Sequence, residues 1–364
     1  MGGDDISRAG IDSGAGMEPV PSVRTALVLG AGGTVGIAYH AGVLKALLDA
    51  GVDPQAADLV VGTSAGAIVG SILRGHHDLE EIWDLALSDE NPFTEGEPFF
   101  RPEVVFSQGW RTPAGLARRA VGAGYVLHRT LLKVPTIAPP GPLQRFYRGG
   151  LASVTELRAE FAKWVGEEWP DRALQLCSFD IVTGRRIVLG EPGRRRPPLP
   201  DAMRAAAAVP MVYPPVRFGR RVLVDGAVSS STNVDVAVAA GAELVVVAAP
   251  LAYHPEARLP LHLRAARELF QRKLECELRR AEEAGVRVLV VRPDRDEALV
   301  HGLNLLRSGD PRAAATLANE RAARLLAEPE GQEFAAAWRA ATTPSRPKRT
   351  PRRSAARRAR RAAG

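Results

Sequence analysis

A serine in a tightly turned setting is the first residue in this sequence that could do covalent chemistry. Ser64 lies in Gly62-Thr-Ser-Ala-Gly66, which matches the pattern G-x-S-x-G, with valines before it and an apolar stretch after it. At a strand-to-helix junction, this pattern places the serine oxygen on a sharp turn, and the two glycines leave room where strand and helix crowd together. Ser64 is therefore predicted to be a nucleophile that attacks a carbonyl carbon.

A carboxylate in a comparable setting could act as the base that such a serine requires. Asp225 ends the apolar run Val222-Leu-Val and is followed by Gly226. Sites of α/β proteins assemble at the carboxyl ends of their strands, and a carboxylate there could take a proton from a hydroxyl group. An aspartate before a glycine is also typical of an ordinary turn, and that interpretation remains open at this point.

A glycine-rich turn, Gly30-Ala-Gly-Gly-Thr-Val-Gly36, separates a predicted strand from a predicted helix. Val35 occupies a position where a dinucleotide-binding turn needs glycine, and the lysine of a phosphate-binding P-loop is absent from the turn. Glycines before a helix leave backbone N–H groups without acceptors at the positive end of the helix dipole. The turn is predicted either to bind an anion, such as the oxyanion of an acyl intermediate, or to be a tight turn only.

The seven histidines of the chain offer an alternative base for Ser64. His254 follows a predicted strand, as the histidine of a Ser-His-Asp triad does in α/β hydrolases, and His301 is a second candidate. However, that fold places several strands before the one that leads into its serine, whereas only one convincing strand precedes the strand that leads into Ser64. A triad hydrolase or a histidine-dependent acyltransferase is therefore the alternative hypothesis.

The apolar patterns that must position these residues alternate between strand and helix, which predicts an α/β sheet covered on both faces. A leader at 1–23 and a tail at 344–364 have compositions typical of disorder. Residues 91–150 are rich in proline, glycine and aromatics, and they are predicted to form a lid-like insertion or an ordinary helical insertion. Strands are expected at 25–29, 58–61, 174–179, 186–189, 222–224, 244–248 and 286–291, and helices at 37–50, 65–73, 203–209, 233–240, 261–284, 311–327 and 333–342.

The net charge of +7 comes from the tail, because residues 344–364 contain nine lysines and arginines and no acidic residue. Removing these nine charges leaves −2 for residues 1–343, so the folded part gives no strong signal for nucleic-acid binding. The two cysteines cannot form a disulfide framework or a cysteine-rich metal site, and they favour a reduced, cytoplasmic setting. No signal peptide or membrane-spanning run of apolar residues is visible in the sequence.

Four separated strings of this sequence together resemble the patatin-like phospholipase family. They are the glycine turn with Gly42-Val-Leu-Lys-Ala-Leu47, the Gly62–Gly66 string, Ala208-Val-Pro with Tyr213-Pro-Pro, and Asp225-Gly-Ala. Their order and spacing agree with the family over roughly residues 24–295. The sequence departs from the family at Val35, where an arginine or lysine is common, and at Ala227, which replaces a glycine.

The resemblance implies a three-layer α/β/α sandwich with a mostly parallel sheet, in a catalytic domain at 24–343. It also implies a Ser64–Asp225 dyad without a catalytic histidine or a cofactor, and a serine hydrolase of phospholipase A or lysophospholipase type acting on lipid acyl esters. The oxyanion would be held by the backbone N–H groups of Gly32, Gly33, Thr34 and Ala65, with Gly30, Gly36, Gly62, Gly66 and Gly226 supporting the turns. No metal is expected.

Contact with an anionic membrane surface is a further expectation from the sequence. The aromatic and basic segment 91–150 could bring a lipid interface to the dyad, and the arginine-rich tail could attract anionic lipid. The protein would then be cytoplasmic with peripheral membrane contact. A third function class stays open beside the dyad and triad enzymes, namely a lipid-binding protein without catalysis in which Ser64 has no chemical role.

Overall fold

The computed structural model describes residues 23–75, 77–88, 113–132, 155–302 and 310–343 of the chain. Within these ranges an eight-stranded sheet is combined with eleven α-helices. The strands are β1 Thr25–Leu29, β2 Leu59–Gly62, β3 Ala173–Asp180, β4 Arg185–Leu189, β5 Val216–Phe218, β6 Arg221–Asp225, β7 Leu244–Ala248 and β8 Arg287–Val291. The helices are α1 Gly33–Asp49, α2 Ala65–Arg74, α3 Leu79–Leu87, α4 Pro113–Leu132, α5 Thr155–Val165, α6 Leu199–Ala206, α7 Val234–Ala239, α8 Leu261–Glu283, α9 Arg295–His301, α10 Pro311–Ala327 and α11 Pro329–Thr342.

Parallel strands in the order β3, β2, β1, β7 and β8 form the main part of the sheet. Side chains alternate between the two faces of each strand, and both faces are apolar, as expected of a parallel sheet that is covered by helices on each side. In β1, Leu27 and Leu29 pack with α1, α2, α10 and α11, whereas Ala26 and Val28 pack with α7 and α8. The predicted three-layer α/β/α architecture is therefore confirmed.

Three antiparallel strands extend the sheet around β3, and their register brings two strand ends together. Leu176 pairs with Gly62 of β2 and with Leu189 of β4, so β2 and β4 lie on opposite edges of β3. Ser178 pairs with β4 and with Asp225 of β6, so β6 lies on the same edge as β2. Because β2 is parallel to β3 and β6 is antiparallel, the carboxyl ends of β2 and β6 point toward each other along that edge.

Several boundaries differ from those expected from the sequence. Helix α1 begins at Gly33 rather than at 37, so the second half of the glycine turn is already helical. The helices α3, α5 and α9 and the three-residue strand β5 are additions to the expected elements. Two of these helices begin with capping boxes, in which an aspartate and a glutamate three residues later satisfy free N–H groups: Asp78 with Glu81, and Asp294 with Glu297.

Of the segment 91–150, the structure describes only α4. Arg129 of α4 donates from Nε and Nη2 to the Ile181 carbonyl at 3.3 and 3.1 Å, which joins this helix to the end of β3. Val126 of the same helix packs in a small cluster with Phe179, Ile181, Val182, Val222 and Val224.

Within the described ranges, no helix combines the length and apolarity needed to cross a bilayer. The expected disorder at 1–23 and 344–364 concerns residues that, apart from Val23, lie outside the described part of the chain.

Candidate active site

The Gly62–Gly66 string forms a sharp turn between β2 and α2. Ser64 has φ 55° and ψ −118°, a backbone conformation that is strained for a residue with a side chain. Its N–H donates to the Ala206 carbonyl at 3.2 Å, which fixes the turn against α6. A Cβ atom at Gly66 would lie 2.0 Å from the Leu29 carbonyl oxygen, so only glycine allows α2 to approach β1 so closely. The strand-turn-helix context predicted for Ser64 is confirmed.

Asp225 is the last residue of β6 and lies beside this turn. Its backbone N–H donates to the Ala208 carbonyl at 2.9 Å, and its Oδ1 accepts from the Ala227 N–H at 2.8 Å, in a turn of 3₁₀ helix that includes Gly226. The Ser64 side chain lies close enough to the carboxyl group to lower its pKa. Both side chains are largely withdrawn from solvent, with residue exposures of 6% for Ser64 and 3% for Asp225. The structure thus brings the two predicted residues together.

Burial changes the acid–base behaviour of this carboxyl group. Removal from water raises the pKa of Asp225 from 3.8 to about 6, although the hydrogen bond from Ala227 and the nearby Ser64 hydroxyl act in the opposite direction. The carboxylate is therefore still the main form at neutral pH. It is also a much better proton acceptor than an exposed aspartate, whose pKa of about 3.9 makes it a feeble base.

The glycine turn presents backbone donors at the start of α1. Gly33 has φ 62°, in the left-handed region that favours glycine, and the helix begins there. Among the described residues, no acceptor is found for the N–H groups of Gly32, Gly33 and Thr34, or for that of Ala65 at the start of α2. These are the helix-terminal donors expected to be free for an anion. Gly36 closes the first helical turn by donating to the Gly32 carbonyl at 2.9 Å.

A small apolar pocket of about 30 Å³ opens at the serine. Ser64, Gly33 and Ala65 all line it, so the hydroxyl group and two of the four proposed oxyanion donors border the same space. Gly32 and Thr34 are not among its lining residues, and Thr34 borders a separate apolar pocket. A space of this size holds a few atoms, such as a carbonyl group, rather than a whole acyl chain. Its other walls are Ile37, Ile68, Leu157, Phe161, Ala207, Val209 and Tyr213.

His40 contributes to the site in a way that the sequence pattern does not reveal. It is fully buried on α1, and its Nε2 lies 2.7 Å from the Gly30 carbonyl oxygen. Burial lowers the pKa of His40 to about 4, so the ring is neutral near pH 7 and Nε2–H donates the bond. The same carbonyl accepts from the Gly66 N–H at 3.1 Å. His40 therefore ties the glycine turn to the serine turn through one carbonyl group.

The loop after Asp225 is a second structural support beyond the predicted site residues. Asn233 donates from Nδ2 to the Thr63 hydroxyl at 2.9 Å and to the Ser230 carbonyl at 2.7 Å. The Ser231 carbonyl accepts from the Ala31 N–H at 2.7 Å. The loop is therefore bound both to the serine turn and to the glycine turn. The run of hydroxyl and amide side chains at 229–233 is the signal in the sequence that could have revealed this anchor.

The histidines proposed as alternative bases lie elsewhere. His254 donates its backbone N–H to Pro293, and its ring accepts from the Glu256 N–H. His301 is buried at the end of α9, where its ring meets Tyr39 edge to face at 5.4 Å. No histidine among the described residues lines the pocket at Ser64. The same part of the chain contains no group of three or more metal-ligating side chains arranged around a common centre.

Asp180, the last residue of β3, has a structural role. Its Oδ1 accepts from the N–H groups of Val182 at 3.0 Å and Val222 at 3.1 Å, and its Oδ2 accepts from the Thr183 hydroxyl at 2.9 Å. It therefore fixes the turn after β3 and the adjacent strand β6.

Comparison with known proteins places this geometry in a family. Over 59 residues the chain is 52% identical to triacylglycerol lipase 4 of Saccharomyces cerevisiae, covering 16% of this chain and 6% of the relative. Over 60 residues it is 45% identical to lysophospholipase nte1 of Neurospora crassa, covering 16% of this chain and 4% of the relative. The chain thus spans only a small part of the length of these curated relatives.

Among solved structures, VipD from Legionella pneumophila is similar with a TM-score of 0.40 and 14% identity, covering 84% of this chain and 67% of that one. The family model of the patatin-like phospholipases matches residues 27–238. This range contains the glycine turn, Ser64 and Asp225, and it accounts for more than half of the chain. The chain belongs to the patatin-like phospholipase family.

Proposed function

We propose that this protein is a serine lipid acyl hydrolase of phospholipase A or lysophospholipase type, in which Ser64 is the nucleophile and Asp225 the general base. The observation that carries the proposal is the contact between these two side chains beside backbone donors that have no acceptor in the described structure. Family membership supports the class of reaction. The names of the relatives, a triacylglycerol lipase and a lysophospholipase, support lipid esters as the substrate class.

In the first half of the reaction, the Ser64 oxygen attacks the ester carbonyl carbon while Asp225 takes the hydroxyl proton. The carbonyl oxygen becomes an oxyanion held by the N–H groups of Gly33 and Ala65, with Gly32 and Thr34 as further donors from the same turn. When the tetrahedral intermediate collapses, the carbon–oxygen bond to the alcohol breaks. Asp225 returns the proton to the departing alkoxide, and an acyl group remains on Ser64.

In the second half, a water molecule takes the place of the alcohol. Asp225 accepts a proton from this water as its oxygen attacks the acyl carbonyl, and the same donors hold the second oxyanion. Collapse releases the fatty acid, and the proton returns to the Ser64 oxygen. The raised pKa of Asp225 suits both directions of transfer, because a group with a pKa of about 6 can accept and release a proton near neutral pH.

An apolar entrance favours an acyl chain over a polar substrate. The pocket at Ser64 is walled by aliphatic and aromatic side chains, including Ile68, Phe161 and Val209. Burying a methylene group of a substrate against such walls contributes about 0.8 kcal/mol. A fatty acyl ester therefore gains affinity here, whereas a charged peptide or sugar would lose its hydration without compensation.

Membrane contact is part of the same proposal. In the described part of the insertion, α4 leaves Val121 and Leu131 with 62% and 71% exposure. A lipid substrate is presented at an interface, and apolar side chains exposed near the site are suited to meeting it. We include the rest of the 91–150 segment and the basic tail at 344–364 as further contacts with an anionic membrane.

The proposal is tested by labelling with a fluorophosphonate and by hydrolysis of mixed lipid vesicles, with mass spectrometry of the released fatty acids. Wild type is expected to be labelled and to release fatty acid, whereas Ser64→Ala should lose both activities. Ser71→Ala is the matched control, because this buried serine lies on the same helix and donates to the Ala67 carbonyl at 2.7 Å, away from the pocket. If wild type is neither labelled nor active, the proposal fails and the non-catalytic alternative stands. If Ser64→Ala remains active, the proposal fails because another residue is the nucleophile.

A further inference from the structure

A stretch rich in arginine connects the end of β4 to β6, the strand that ends at Asp225. Between 190 and 221 the sequence contains seven arginines and two acidic residues, Glu191 and Asp201. Asp201 is paired with Arg158 and Arg204, and Glu191 is paired with Arg194. With seven arginines and two acidic residues, this stretch carries a net charge of +5.

The hairpin of β5 and β6 carries part of this charge beyond the end of β3. Leu223 pairs with Asp180, the last residue of β3, so Arg221 and Arg220 lie further along in the direction in which β3 ends. The catalytic turns follow the carboxyl ends of β1 and β2, which run parallel to β3. The hairpin tip therefore projects from the edge of the sheet that holds Ser64 and Asp225.

The loop between β4 and α6 adds a third arginine to the tip. Arg195 lies over the ring of Phe218 at 5.8 Å, and the adjacent Arg196 lies over Trp169 at 5.3 Å. The Trp169 indole also donates to the Pro197 carbonyl at 2.7 Å, so the loop is held in place on both sides. Stacking on an aromatic face fixes an arginine while its N–H groups remain available.

Arg195, Arg220 and Arg221 are here called the arginine surface. In the described structure none of the three forms a salt bridge or a hydrogen bond with another side chain. Arg195 and Arg220 are exposed and Arg221 is half-buried. Arginine N–H groups in this state match the oxygens of a phosphate group, to which they can bind in pairs.

Apolar side chains flank the arginine surface, which distinguishes it from a purely ionic patch. Val126 of α4 packs against Val222 and Val224 of β6, so the helix that exposes Val121 and Leu131 covers the face of the hairpin opposite to that of Arg221. Met211, with 39% exposure, lies in the segment that leads from the pocket wall at Val209 to β5. Basic residues together with exposed apolar side chains are characteristic of proteins that lie on an anionic lipid surface.

We propose that the arginine surface binds the phosphate groups of anionic phospholipids and orients the pocket at Ser64 toward the membrane. This inference rests on the proposed function for the identity of the substrate, and it assigns the docking contact to residues outside the 91–150 segment and the tail. Each arginine near an anionic surface contributes about fivefold to membrane partitioning, and three contribute about 100-fold.

The test compares full-length wild type with Arg195→Gln/Arg220→Gln/Arg221→Gln in co-sedimentation with vesicles. The vesicles contain phosphatidylcholine alone or phosphatidylcholine with phosphatidylglycerol. The control variant is Lys273→Gln/Arg279→Gln/Arg280→Gln, which removes the same charge from exposed positions of α8. The basic tail is present in all three proteins, so its contribution to binding cancels.

The arginine-surface variant is expected to lose about 100-fold in partitioning to the anionic vesicles, and the control to lose less than about threefold. Hydrolysis of a water-soluble monomeric ester should be the same in all three proteins. Equal losses in the two variants would overturn the proposal. If the arginine-surface variant lost binding to a duplex oligonucleotide but retained vesicle binding, the proposal would also be overturned, in favour of a nucleic-acid partner.

The two proposals fail in different ways in this design. If wild type does not hydrolyse the monomeric ester but the arginine-surface variant still loses vesicle binding, the proposed function is wrong and the docking surface stands. If the ester is hydrolysed and both variants bind vesicles alike, the docking surface is wrong and the proposed function stands.

Discussion

Gly62 and Asp225 lie on the same edge of β3 and pair with Leu176 and Ser178, which are separated by a single residue. Gly62 ends β2, which is parallel to β3, whereas Asp225 ends β6, which is antiparallel to it. The chain leaves β2 and turns at Ser64 at the point where β6 arrives from the opposite direction. The register of three strands is therefore sufficient to place a hydroxyl group beside a carboxyl group.

The low-pH limit of activity should follow the titration of Asp225. The base must be ionised, and its pKa is raised to about 6, so kcat/KM should rise with pH through about 6 and level off above it. Asp225→Asn should reduce kcat by about 10²–10⁴ and remove this limb from the residual activity. The measurement is a pH–rate profile on a soluble ester. A limb near pH 4, as for an unperturbed carboxyl group, would contradict the assignment.

The Asp225→Asn variant should also be more stable than wild type at neutral pH. Because the folded-state pKa of Asp225 lies above its unfolded value of 3.8, the unfolded chain ionises first, and the fold loses stability as pH rises from about 4 to about 6. A neutral amide at this position avoids that cost, so the stability difference should grow from near zero below about pH 4 to at most about 3 kcal/mol above about pH 7. Urea unfolding at about pH 4 and about pH 8 measures it. An equal difference at both pH values would contradict the burial argument.

Replacing His40 should impair turnover more than substrate binding. His40→Leu removes the donor to the Gly30 carbonyl, which lets the glycine turn shift, and a small displacement of oxyanion donors costs about 10²-fold in rate. KM should change little, because His40 does not line the pocket. His40→Gln keeps an N–H donor and should restore most of kcat. If both variants lose activity equally while remaining folded, His40 has a role other than holding this carbonyl group.

Close packing at the serine turn should make Gly66 intolerant of any side chain. A Cβ atom there would lie 2.0 Å from a backbone oxygen of β1, and Gly66→Ala should cost about 3 kcal/mol or more in unfolding free energy. Gly124→Ala on α4 is the control, because nothing lies within 4 Å of its added Cβ atom. That variant should gain about 0.5–1 kcal/mol from helix propensity. If the two substitutions changed the unfolding free energy by similar amounts, the close approach of α2 to β1 at Gly66 would be refuted.

Loss of His254 should leave the reaction intact. Its ring is bound to the Glu256 N–H in the segment after β7 and does not line the pocket at Ser64. His254→Ala is therefore expected to keep kcat within about twofold of wild type, whereas a Ser-His-Asp triad would lose about 10³-fold or more. Steady-state kinetics on a soluble ester distinguish the two. A loss of the larger size would revive the histidine-dependent alternative.

Buried parallel strands are the elements most readily predicted from the sequence. The runs at Thr25–Leu29 and Leu244–Ala248 are predicted at their observed bounds, because a strand covered on both faces is a continuous apolar run between turn residues. The predicted start of α1 is wrong because consecutive glycines disfavour a helix locally. The glycines are required by close packing: a Cβ atom at Gly32 would lie 2.7 Å from Pro250, and one at Gly36 would lie 3.2 Å from the Cβ atom of Ala65.

Residues that support the site through distant backbone groups cannot be predicted in this way. Asn233 acts through the hydroxyl of Thr63, and His40 acts through a carbonyl on the far side of the glycine turn. Their partners are set by the pairing of strands that are remote in the chain, and no local pattern records that pairing. Ser64 and Asp225 can be predicted because each follows or ends an apolar strand at a glycine turn.

The meeting of β2 and β6 on one edge has a consequence during synthesis. The ribosome releases the segment that bears Ser64 long before the strand that bears Asp225, and domains fold as their segments emerge. A nascent chain that has formed only the first parallel strands therefore holds Ser64 without Asp225 beside it. Under the proposed mechanism, the chain becomes able to react only when β6 joins β3.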